Sequence, residues 1–87
     1  MQIITQSVGQ LGLVIRAVRR SSNVRLDDLA AMAGVSKQFV SDVERGKPTV
    51  QLGLVLELLA ELGIPLTLDV PKEAGTELEN LRRKGLK

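Results

Sequence analysis

The sequence predicts an all-α domain of about four short helices, closed by one β-strand near its C-terminus. Three observations carry this reading. Leu11, Val14, Ile15 and Val18 recur at i, i+3, i+4 and i+7, the stripe of an amphipathic helix. Two shorter apolar-periodic segments, 24–33 and 36–45, are separated by a turn containing Gly34, which is the spacing of a helix-turn-helix. Leu66–Val70 alternates apolar and polar residues, as a half-buried strand does.

Composition narrows the chemistry. The chain has 87 residues, enough for one domain and one small core. It contains no Cys and no His. A disulfide framework, a thiolate or imidazole metal site and the usual acid–base catalyst are thereby excluded. We expect no enzyme, no cofactor and no metal. A net charge of +2 permits contact with nucleic acid. Phe39 is the single aromatic residue, and one ring cannot make the stacking platform of a single-strand reader. Duplex DNA is the better nucleic-acid candidate. No apolar run is long enough to span a bilayer, and the N-terminus lacks a signal-peptide pattern. The expectation is a cytoplasmic protein without a membrane partner.

The elements follow in order. Ile3, Ile4 and Thr5 favour extended backbone. Ser7 and Gln10 fit a capping box that opens a helix running to about Ser21. In that register Arg16 and Arg20 point outward, while Arg19 lies beside the apolar stripe, where a long side chain snorkels to water. Ser21–Asn23 is a turn. Val24–Ala33 reads as a second helix, with Asp27 and Asp28 in the first turn where the dipole favours negative charge. Gly34 permits positive φ, and Ser36 is a good N-cap. In the third helix Val40 and Val43 face inward, and Lys37, Gln38, Ser41 and Asp42 face outward; Gly46 closes it. Polar groups of hydrogen-bonding size on such a helix suit a DNA major groove. A merely solvated helix carries the same pattern, so the helix and Gly turn before it are what favour DNA.

Pro48 blocks continuation of the third helix, and Thr49 is a candidate N-cap for the next, Leu52–Leu62. Leu52, Val55, Leu56, Leu59 and Leu62 form one stripe of that helix, and Leu54 and Leu58 a second. A helix apolar over most of its circumference buries more than one side. Either the core wraps it, or Leu54 and Leu58 belong to a dimer interface, which is the reading preferred here. Pro65 and Pro71 bracket the strand, as suits a sheet edge. One strand cannot satisfy its own backbone. It pairs with Met1–Thr5 or, as two features suggest, with its copy across a twofold axis, placing Leu66, Leu68 and Val70 in a homodimer interface. Residues 1–71 thus form the DNA-binding and dimerisation domain. Residues 72–87 form a flexible basic tail with Arg82, Arg83, Lys84 and Lys87 at its end. Thr76–Glu79 fits a capping box there and Glu79 can pair with Arg83, but a helix under about ten residues is too short to stand alone.

Leu11-Gly12, Ile15-Arg16, Arg19, Leu29-Ala30, Gly34-Val35-Ser36, Val40-Ser41 and Glu44-Arg45-Gly46, spread over residues 8–63, resemble the Xre/Cro-like helix-turn-helix DNA-binding proteins, whose fold is lambda-repressor-like. The resemblance implies that Ser36–Arg45 is the recognition helix, with Ser36, Lys37, Gln38, Ser41 and Asp42 near bases or phosphates. It also implies an internal ion pair between Arg19 and Glu44. Arg25 and Leu26 depart from the family's usual Ser or Thr cap and phosphate-binding Gln. Arg25 becomes a candidate phosphate contact beside Arg45 and Lys47. Residues 35–47 and the strand Leu66–Val70 look like HipB-type antitoxins. That implies a dimer on operator DNA that represses its own operon and neutralises a HipA-like Ser/Thr kinase. A stand-alone regulator and an interaction module that has lost DNA binding are the other readings.

Overall fold

Local chemistry sets each helix boundary. The Ser7 hydroxyl accepts the Gln10 backbone N–H at 3.1 Å, so α1 starts at Val8 and runs to Ser21. Gln10 reaches back one residue further than a capping box would, accepting the Gln6 N–H at 2.7 Å. Helix α2 is Leu26–Ala33 and ends at Gly34, whose φ of 71° lies in the left-handed region. Ser36 accepts the Phe39 N–H at 3.0 Å and opens α3, Lys37–Glu44. Helix α4 spans Leu52–Glu61 and α5 spans Lys72–Arg83. The computed structural model describes residues 1–85, which hold these five helices and no β-ladder.

The helix-turn-helix pair packs face to face. Helix α3 lies against α1 and α2, and α2 also packs on α4. Ile15, Leu29, Ala30, Val40, Val43, Val55, Leu58 and Leu59 form the buried core. Phe39 and Val35 pack at its edge. Fully burying one such side chain contributes roughly 1.5–3 kcal/mol, so this small set holds the four helices together.

Four expectations change. Gln51, not Thr49, occupies the N-cap of α4, because the helix starts at Leu52. Leu58 is completely buried in its own chain's core, so it has no surface to give a second copy, and Leu54 is half-buried. The exposed leucines of α4 are Leu52 and Leu56. The core wraps the Leu58 side, where Leu58 joins Leu29 and Ala30 of α2 in one buried cluster. Residues 64–71 have no regular hydrogen-bonded structure. A strand needs a second backbone, and Met1–Gln6 forms no ladder with this segment. Finally, α5 begins at Lys72, four residues before the capping box at Thr76, with Pro71 at its N-cap. Proline there lacks a donor that a helix start would leave unused, and its fixed φ suits the entry. Arg83 donates to Asn80 rather than pairing with Glu79. Lys87 lies outside the described residues.

Candidate nucleic-acid interface

The third helix is fixed from behind before it presents anything in front. Val40 and Val43 are buried, and Glu44, at its last turn, is 3% exposed. A carboxylate that deep needs partners. Arg19 of α1 supplies a two-pronged one: its Nε donates to Glu44 Oε2 at 2.6 Å and its Nη2 to Oε1 at 3.0 Å. The remaining Nη1 donates to the Val24 carbonyl at 3.0 Å, tying in the turn before α2. Bonding to Glu44 raises the Arg19 pKa above its ordinary value against the opposing effect of burial, so this cation stays charged at every working pH. Arg16, which the helical register sent outward, also comes in, with its Nε 3.4 Å from Glu44 Oε1. No buried side-chain polar atom among the described residues lacks a partner.

Glycine allows the close approach behind this pair. A Cβ at Gly12 would sit 2.7 Å from the Glu44 carbonyl oxygen, so α1 reaches α3 only because the side chain is absent. Gly46 has φ of 80° and would place a Cβ 2.7 Å from Gly9 Cα. The same two backbones meet at both ends of the contact.

The outward side of α3 is polar. Lys37 and Gln38 are exposed, and Ser41 and Asp42 are half-buried. Arg45 and Lys47 are exposed just beyond the helix. Ser36 spends its oxygen on the cap, leaving its hydroxyl hydrogen to donate. Arg25 stands exposed at the N-cap of α2, makes no side-chain cap, and lies 3.3 Å from Asp27. Asp42 is the hub of the outward set. Its Oδ1 accepts the Gln38 amide Nε2 at 2.8 Å and Arg45 Nη2 at 3.2 Å, and its Oδ2 is 3.6 Å from Lys47 Nζ. The Gln38 amide first, then Arg45 and Lys47, hold this carboxyl below its ordinary 3.8, with desolvation working against them. Lys37 is not among its partners. The spacings 38→42 and 42→45 were visible in the sequence as helical i, i+4 and i, i+3 pairs. The Lys47 contact was not, because it depends on the turn at Gly46.

The helix-turn-helix family model matches residues 15–68, more than half the chain. An HTH-type transcriptional regulator of Sinorhizobium fredii, y4mF, is 44% identical over 63 residues, covering 72% of this chain and 83% of that protein. The chain belongs to the Xre-type helix-turn-helix family of transcriptional regulators. Among solved structures, a chain of a HipA-HipB-O2-O3 complex superposes with a TM-score of 0.73 at 25% identity, covering 83% of this chain and all of that one. The HipB-O4 20mer complex gives the same TM-score, identity and coverage. The restriction-modification controller protein C.AhdI of Aeromonas hydrophila matches at a TM-score of 0.61 and 29% identity, over 67% of this chain and 88% of that one. No helix among the described residues is long and apolar enough to cross a membrane.

Proposed function

We propose that this helix-turn-helix regulator is a homodimeric repressor that binds an operator and acts as the antitoxin to a HipA-type Ser/Thr kinase. One observation supports this most: the chain matches the full length of HipB chains from structures with DNA and with HipA. On this reading Lys37 and Gln38 approach base edges, where Lys suits guanine and Gln suits adenine. Ser36, Ser41 and Asp42 lie beside them. Arg25, Arg45 and Lys47 hold phosphates and fix register rather than sequence. The dimer rests on Leu66, Leu68 and Val70, which are 60%, 73% and 57% exposed in the single chain. Their unpaired backbone is completed by a second copy, which sets two recognition helices on two half-sites. Cytoplasmic residence follows from operator binding.

The decisive experiment for the antitoxin role uses a HipA-type kinase encoded beside this gene. Stoichiometric protein should form a stable complex with it and abolish phosphoryl transfer. A kinase that stays active and unbound refutes the antitoxin role. It would leave the stand-alone regulator.

A further inference from the structure

We infer that Asp42 is the positioning residue of Gln38, and that it makes Gln38 a reader of bases with an exocyclic amino group in the major groove. The inference rests on the DNA-reading role proposed above for α3. The Gln38 side chain is exposed and stands one helical turn before Asp42. The two meet at 2.8 Å. An ionised carboxylate only accepts hydrogen bonds, so the amide must turn its nitrogen toward Asp42. The amide oxygen then faces away, since turning it back would set oxygen against oxygen with no proton between them. A free glutamine amide flips through half a turn at little cost and can offer donor or acceptor at the same place. Here one of the two orientations is removed.

The carboxylate is itself held still. Arg45 reaches Oδ1 from the end of α3 at 3.2 Å, and Lys47 approaches Oδ2 from the following turn at 3.6 Å. These cations also offset the repulsion between Asp42 and DNA phosphate. A carboxylate on a DNA-facing helix is otherwise hard to explain. Its negative charge weakens binding to every sequence alike, whereas an orienting role gives discrimination in return. With its acceptor presented, Gln38 favours adenine N6 or cytosine N4, both donors, and disfavours guanine O6 or thymine O4, both acceptors.

The test has two arms. In the first, the four base pairs are compared at the operator position most affected by Gln38→Ala, using the full-length protein at one fixed salt concentration. The wild type should prefer adenine or cytosine there by about tenfold. Asp42→Ala should reduce that ratio to about two, even as loss of a negative charge tightens binding to all four. Taking the ratio removes the uniform effect. Asp42→Asn, whose amide can accept or donate, should also lose the preference. Asp42→Ala added to Gln38→Ala should change the ratio no further. An Asp42→Ala protein that keeps the full preference overturns the inference while leaving DNA reading intact. A ratio that falls further in the double variant assigns base contact to Asp42 itself and overturns it too. A wild type with no sequence preference overturns the DNA-reading role first. The second arm needs no DNA. The side-chain NH2 resonances of Gln38 in the free protein should move to those of an unbonded glutamine in Asp42→Ala, with other amides of α3 unchanged. If they stay in place, the lock does not exist in solution.

Discussion

Two regions of this chain solve opposite problems. Around α1, α2 and α3 every demanding group finds its partner inside the chain. Glu44 has Arg19 and Arg16, Gly12 makes room for the α3 backbone, and Val40 and Val43 close the core. From Pro65 to Arg83 no residue is buried. Leu66, Leu68, Val70, Leu78 and Leu81 all keep substantial apolar surface, and the extended segment forms no ladder. The contrast separates a helix-turn-helix head that is complete in one copy from a segment that leaves its apolar side chains uncovered. A rigid head lets side chains such as Gln38 be placed in advance. On the proposed dimer, completing this segment is the step that positions one head relative to another.

The contrast breaks most sharply at Glu44. Glu44→Ala leaves the Arg19 guanidinium, only 12% exposed, without its carboxylate. Breaking a buried pair from one side costs about 3–5 kcal/mol. Since domains of this kind have about 5–15 kcal/mol in all, the variant should lose a large share of its stability, as urea titration will show. Gly12→Ala comes next. Its Cβ meets backbone rather than a flexible side chain, so α1 must move, at about 1–3 kcal/mol by the same titration. Replacing Leu66, Leu68 and Val70 together by Ser should do the reverse: stability of the dilute monomer should stay within about 0.5 kcal/mol. Sedimentation should show loss of the dimer. The smallest effects lie on the outer face of α3. A lowered carboxyl pKa keeps its contribution above the unfolded value and loses it as pH falls through the folded one. Base preference at the Gln38 position should therefore be flat from neutral pH down to the ordinary Asp value of 3.8. Lys47→Ala should weaken all duplexes alike and lower the salt slope by about one.

Much of the reading head was legible because its signals are local. The stripe from Leu11 to Val18, the Ser7 and Ser36 caps and the glycine at 34 each act within a few residues. The Arg19–Glu44 contact came from a resemblance rather than from spacing, since the two are 25 residues apart. Register sends Arg16 to solvent, because it gives a direction but not how far a flexible side chain bends back. Sequence alone gives Leu58 to a dimer, because a leucine-rich helix does not reveal which of its faces the core will cover. The segment 64–70 shows the limit most clearly. Alternation marks a strand that has a partner, and the sequence of one chain does not contain that partner.

On the proposed function, α3 reads DNA sequence from each half of a dimer. Selection from random duplex DNA by the purified protein, at one stated salt concentration, tests it most directly. The expected result is a palindrome whose half-sites lie about one helical turn, or a multiple, apart. Folded protein that enriches no sequence, or only an unpaired half-site, contradicts it.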